Sequence, residues 1–182
     1  MVAIAERQVT EDGEVLRSLP PRGIQIPEKA AFLGDDGKAD FIDAPDLASI
    51  GRALIADCPE FEHLQDIEIV YLWKREGGES AGQAVLGKCQ KTSGLIKYFS
   101  QAPWLVWVAA DHARDFGFGA REVEALVHHE LCHTGADDDG LPTARGHDFD
   151  GFTANVRRYG LWHTQLRLAR SAFEQLPLPQ II

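Results

Sequence analysis

Ala120-Arg121-Glu122-Val123-Glu124-Ala125-Leu126-Val127-His128-His129-Glu130-Leu131-Cys132-His133-Thr134-Gly135 combines a helical apolar period with three histidines. Val123, Leu126, Val127, Leu131 and Thr134 recur at helical spacing, so the pattern predicts one amphipathic helix over Ala120–Thr134, stopped by Gly135. Inside it His129, Glu130 and His133 form H-E-x-x-H. Two histidines four residues apart project from one helix face about 6 Å apart, within reach of a single Zn²⁺. The intervening Glu130 lies to the side of that pair, where a carboxylate can take the proton of an activated water instead of binding the metal. His128 turns about 100° away from His129 and is read as a surface or supporting residue. Cys132 also points away from the pair and is read as packing.

A catalytic zinc site takes three protein ligands and keeps a position for water. The metzincin spacing fails here, because Ala136 and Asp139 stand where it needs glycine and histidine. Glu174 follows His133 by 41 residues, deep in the last predicted helix, and is a poor candidate. His147 follows by 14 residues, in Arg145-Gly146-His147-Asp148, and a loop of that length can fold back to the motif. His147 is therefore the leading third ligand, with Asp139, Asp148 and Asp150 as alternatives.

Upstream, Pro45 opens a predicted helix to about Asp57, with Leu47, Ile50, Leu54 and Ile55 as its apolar stripe. Asp66–Trp73 alternates as a strand with Ile67, Ile69 and Tyr71 on one face. Ala84–Gln90 reads as a second strand and Pro103–Ala110, apolar throughout, as a third that is buried on both sides. Residues 1–40, with Pro20, Pro21, Pro27 and the Gly34–Gly37 turn, read as an extended arm with at most a short strand near Gly23–Ile26. Downstream, one helix is expected from about Gly146 to Tyr159 and a last one over about Leu161–Leu176, before Pro177 and Pro179. The expected organisation is an arm (1–40), a domain (41–176) and a tail (177–182).

Eighteen basic and 28 acidic residues leave a formal net charge of -10. That argues against nucleic acid or an anionic membrane as a general partner. The cluster Lys88, Lys91 and Lys97 is read as a solvated sheet edge. The longest apolar run, Trp104–Ala110, falls far short of the ~20 residues that span a bilayer. The first residues meet Glu6 and Arg7 at once, unlike a signal peptide. Cys58, Cys89 and Cys132, with no C-x-x-C, suit a reducing compartment. His112 and His163 read as structural.

The stretch from about Ile67 to Trp162 resembles the putative phage metallopeptidase family. The resemblance rests on Val85-Leu86-Gly87-Lys88-Cys89, Lys97-Tyr98-Phe99, Glu124–His133, Gly146-His147-Asp148 and Val156–Trp162 in combination. More distantly, Gly146-His147 followed by Phe149 or Phe152 is similar to the segment of SprT-like (Spartan) proteases that carries their third zinc histidine. The resemblance implies a zincin-like fold and a host-cell cytoplasmic setting, with virion association as a variant.

The expectation is an α+β zincin-like fold, a small twisted sheet packed on the H-E-x-x-H helix with further helices after it. Its activity would be zinc-dependent endopeptidase cleavage of a protein or peptide. His129, His133 and His147 would hold Zn²⁺ and Glu130 would be the general base, with Tyr159 or Arg158 aiding the oxyanion. Two rivals are a noncatalytic zinc-stabilised interaction module and a DNA-associated SprT-like protease. An Arg158–Glu122 ion pair bracing the ligand helix is also expected.

Overall fold

The computed structural model describes residues 24–33, 39–147, 152–164, 166–168 and 170, with the backbone of 8–9 and 15–16. In chain order, β1 (Gln8–Val9) pairs antiparallel with β2 (Val15–Leu16). A 3-10 turn at Lys29–Phe32 follows, and Phe32 is buried in the core with Ile24 and Ile26 packed against it. Ile24–Ile26 form no strand; Gly23 and the Gly34–Gly37 turn lie outside the described residues. Then come β3 (Phe41–Asp43), α1 (Pro45–Asp57), a 3-10 segment Pro59–Leu64 and β4 (Ile69–Lys74). The β5 (Glu79–Ser80) and β6 (Gln83–Ala84) hairpin leads into β7 (Gly87–Lys91), α2 (Gly94–Ser100) and β8 (Trp104–Ala109). The remainder is α3 (Ala110–Asp115), α4 (Ala120–Leu131), β9 (Thr134–Ala136), β10 (Pro142–Ala144) and α5 (Thr153–Tyr159).

The fold is α+β, as expected. The main sheet has the order β3-β4-β8-β7, with β4 and β8 parallel and the outer pairs antiparallel. A central strand covered on both faces needs apolar side chains at every position. That accounts for β8, where Trp104, Val106, Trp107, Val108 and Ala109 are all buried. The alternation in β4 works as read, with Tyr71 and Trp73 inward. Helix α1 packs on that strand so closely that a Cβ on Gly51 would strike the Tyr71 ring. Helix α4 packs against the sheet and α1 through Val123, Leu126, Val127 and Leu131.

The expected second strand is two pieces. Gln83–Ala84 turns back on Glu79–Ser80, and only Gly87–Lys91 joins the sheet. The hydrogen-bond phase of β7 follows from its ends: Ala109 N donates to Leu86 O, and Thr92 N donates to Pro103 O. Antiparallel alternation then points the backbone of Lys88 and Gln90 at β8. The N–H and C=O groups of Gly87, Cys89 and Lys91 point away from β8, toward the edge that no described strand pairs, where the Cys89 N–H meets Glu130.

Three helix boundaries differ from the sequence reading. Helix α4 stops at Leu131 rather than Thr134, because Thr134 Oγ1 donates to Leu131 O at 2.7 Å and Thr134–Ala136 pairs with β10. His63 Nε2–H donates to that same hydroxyl at 2.9 Å. The helix expected from Gly146 begins at Thr153; Gly146 and His147 have no regular structure, and Asp148–Gly151 lie outside the described residues. Of the expected last helix, residues 164, 166–168 and 170 are helical and 171–176 lie outside the description. Helices α2 and α3 were not foreseen, since both are too short to establish a period.

Candidate metal centre

His129 is half-buried in the last turn of α4, and His133 sits two residues past its last helical residue. The chain then makes a hairpin whose register pairs Ala136 with Pro142, Gly135 with Thr143 and Thr134 with Ala144. The next rung is His133 with Arg145: Arg145 N donates to His133 O at 2.8 Å, and His133 Nδ1–H donates to Arg145 O at 2.9 Å. Two residues further on, His147 returns beside the end of α4. The 14-residue span between the histidines is therefore an ordered hairpin, and it sets where His147 arrives.

His129, His133 and His147 each offer a ring nitrogen, and the three lie within 4.8 Å of one another. Nε2 of His147 is 3.1 Å from Nε2 of His129. Phe152, buried at the entry to α5, stands edge-on to all three imidazoles, with ring centroids 4.8 to 5.2 Å away. The sequence offers Phe152 as a core-seeking residue; it is the residue that caps the start of α5. Burial, then His133 and His147, hold His129 down to about 3, so its ring is neutral at pH 7. With Nδ1–H of His133 committed to a carbonyl, its Nε2 is left for a ligand. Three imidazoles converging on one point fit a divalent transition metal such as zinc. Among the described residues no fourth His, Cys, Asp or Glu joins the three.

Glu130 is buried against the sheet. Burial pushes its carboxyl up to about 8, while the backbone N–H of Cys89 and the charge of Lys88 draw it down. A cation held by the three imidazoles would draw it down further. The carboxylate lies directly on β7: a Cβ on Gly87 would be 2.9 Å from Oε1. The sequence does not single out Gly87, because the residue it accommodates is 43 positions away.

A cavity of about 490 Å³ opens beside the cluster, lined among others by Leu86, Leu126, His129, Glu130, Trp162 and His163. His163, read as structural, is thus part of its wall. Tyr159 and Arg158 are not. The Tyr159 hydroxyl donates to Glu124 Oε1 at 2.8 Å and accepts from Arg158 Nε at 3.2 Å. Burial, and then the Glu124 charge, raise the phenol well above its ordinary value. The expected Arg158–Glu122 pair does not form. Arg158 stays on Tyr159, and Glu122 Oε2 accepts the Gly119 N–H at 3.0 Å at the start of α4. The geometry behind that expectation placed His147 on the same helix as Arg158, and His147 precedes the helix. Asp139 stays exposed in the β9–β10 turn, its N–H on Asp137 Oδ1, and does not join the cluster. Asp148 and Asp150 lie outside the described residues.

His128 is fully buried and not a surface residue. It forms a second group of possible metal ligands with Cys58 and Glu60. The hydrogen bonds around it assign its proton. Trp162 Nε1, which can only donate, bonds Asn155 Oδ1, and Ala125 O, which can only accept, takes a hydrogen from Asn155 Nδ2. The amide orientation is therefore fixed. The second Nδ2 hydrogen points to His128 Nδ1 at 3.3 Å, and His128 Nε2–H donates to Glu60 Oε1 at 3.2 Å. Both ring nitrogens are occupied, so this group is a buried hydrogen-bond chain tying the 3-10 segment, α4, α5 and Trp162 together. Cys132 is buried with Sγ 3.5 Å from His128 Nδ1, on the side away from His129, consistent with packing.

A family profile described as putative phage metallopeptidase matches residues 39–172. No curated protein and no solved structure matches the chain.

Proposed function

Because the chain belongs to the putative phage metallopeptidase family, we propose that it is a zinc-dependent endopeptidase of the H-E-x-x-H type. His129, His133 and His147 would hold the ion and Glu130 would be the general base. The observation that carries this reading is the convergence of three imidazoles beside a buried carboxylate lying on an edge strand.

When bound there, Zn²⁺ supplies Lewis acidity toward a carbonyl oxygen and lowers the pKa of water. The protein's own residues do the rest. Glu130 takes a proton from water in the cleft and returns it to the departing amine. Its tendency to be protonated when the site is empty suits a group that must carry a proton part of the time. The outward backbone groups of Gly87 and Lys91 and the carbonyl of Cys89 can pair with an extended peptide and lay its backbone past Glu130. Leu86, Leu126 and Trp162 give the cavity beside it apolar walls. Among the described residues no fourth His, Cys, Asp or Glu joins the three, which favours catalysis over a closed structural site. No disulfide links the three cysteines, and no helix among the described residues is long and apolar enough to cross a membrane. We place its action in the cytoplasm of the infected cell.

The test is metal analysis of the purified protein together with cleavage of an unfolded protein substrate by wild type and Glu130→Gln. One zinc per chain in both, with cleavage by wild type alone, supports the reading. Equal cleavage by both proteins removes Glu130 as the base, and absence of bound metal removes the metallopeptidase reading itself.

A further inference from the structure

Helix α2 contributes no buried residue, although it reads Gly94-Leu95-Ile96-Lys97-Tyr98-Phe99-Ser100. Leu95 is 75% exposed, Ile96 49%, Tyr98 70% and Phe99 78%. At 100° per residue these four side chains share one arc of about 160°, and Lys97 lies opposite its centre. The arrangement is amphipathic, with the apolar side outward. Thr92 N and Pro103 O close the neck of this excursion, so α2 projects from the end of the β7–β8 pair. The Tyr98 and Phe99 rings meet edge to face at 5.3 Å, so the surface they form is shaped rather than loose.

We propose that the apolar face of α2 is a self-association surface, covered in solution by the same face of a second copy of this chain. Two observations choose that occupant. The first is area. With ~200 Å² for each large apolar side chain, the exposed fractions amount to roughly 550 Å² per copy. A twofold contact therefore removes at most about 1,100 Å² from these side chains, at the level of the ~1,000 Å² that a specific interface needs. The second is charge. Two chains of net charge -10 repel, so a symmetric contact must be built where acidic residues are missing. No Asp or Glu occurs between Glu79 and Asp111, and the only charges there are Lys88, Lys91 and Lys97. With Lys97 on the far side, the contact face itself is uncharged and self-complementary, as a twofold interface requires. This inference is independent of the proposed catalysis.

The test is sedimentation equilibrium of the full chain as purified, over about 5–200 µM, repeated with chelator to recognise any bridging of molecules through metal at His147. Wild type is expected to dimerise with a micromolar Kd, and Leu95→Asp/Phe99→Asp to weaken that at least tenfold. The variant should keep the wild-type melting temperature. Should it unfold, Ile96→Lys/Tyr98→Glu is the second disruption of the same face. A wild type that stays monomeric throughout overturns the proposal. So does a dimer indifferent to both double variants, which places the interface elsewhere. Face-dependent binding of monomeric protein to phosphatidylcholine vesicles also overturns it and assigns the face to a lipid surface.

Discussion

A Cβ placed on Gly87 would lie 2.9 Å from Oε1 of Glu130 and 3.0 Å from the carbonyl oxygen of Trp107. One is the far end of a side chain and the other is backbone in the next strand. A methyl group can therefore be admitted only by pushing Glu130 away from β7. Gly87→Ala should retain its metal, since it touches none of the three histidines, and lose at least tenfold in cleavage rate. The fold should weaken by about 1–3 kcal/mol. Unchanged cleavage would mean that the position of Glu130 against the strand is not needed.

The buried Glu130 makes a second prediction with a definite sign. In the metal-free chain its carboxyl rises from 4.5 to about 8. The folded state then holds a proton that the unfolded chain has released, and stability falls as pH rises through that window. Glu130→Gln has no such slope. Between pH 4.5 and 8 the metal-free variant should therefore become progressively more stable than wild type, on the order of 2–4 kcal/mol by pH 8. His129, held low in both proteins, has the opposite slope below pH 6.5, and it cancels in the comparison. Chelated samples melted at several pH values measure this directly. A difference that is flat with pH would refute the burial of a protonated carboxyl.

Asn155 offers a third test. Its amide spends three hydrogen-bonding positions on Ala125 O, His128 Nδ1 and Trp162 Nε1. Asn155→Leu removes all three hydrogen bonds and should destabilise the protein by roughly 3 kcal/mol. Asn155→Asp keeps the shape but puts an acceptor against the Ala125 carbonyl, and forces the His128 proton to Nδ1. The measurement is thermal or urea unfolding together with the imidazole proton shifts of His128. An Asp variant as stable as wild type would contradict the assigned tautomer.

The motif helix and its histidines were legible because α4 is amphipathic and the ligand spacing is fixed by 3.6 residues per turn. Strands β4 and β8 were legible from alternation and from a fully apolar run. Less could be read where geometry depends on pairing. The end of α4 is decided by the competition of Thr134 with its own helix and by β10, which does not appear in the period of residues 120–134. His128 could be read only as a surface or supporting residue, because its partners, Glu60 and Asn155, are distant in sequence. Tyr159 and Arg158 looked available for chemistry because Glu124, the carboxylate that occupies the Tyr159 hydroxyl, lies on another helix.

The hairpin register leads to the last prediction. From the sequence alone, His147 and Asp139 compete for the third metal position. Asp139 stands at the tip of the β9–β10 turn, where Gly140, with φ of 75°, reverses the chain, and it is exposed. His147 comes after the returning strand has passed Arg145, whose backbone is bonded in both directions to His133. If the three imidazoles hold one ion, His147→Ala removes a ligand outright and should weaken zinc binding by at least ~100-fold. Asp139→Ala should leave the affinity within a factor of about two. Gly140→Val is the more searching variant, because it leaves all three ligands intact. A branched residue at positive φ strains the turn by roughly 1–3 kcal/mol. Part of that strain should appear as weaker zinc binding, on the order of tenfold, because the hairpin positions His147. Competitive titration with a chromogenic chelator gives all three affinities. Zinc binding that is unchanged in His147→Ala but lost in Asp139→Ala would reverse the assignment. An unaffected Gly140→Val would show that His147 reaches the site without help from the hairpin.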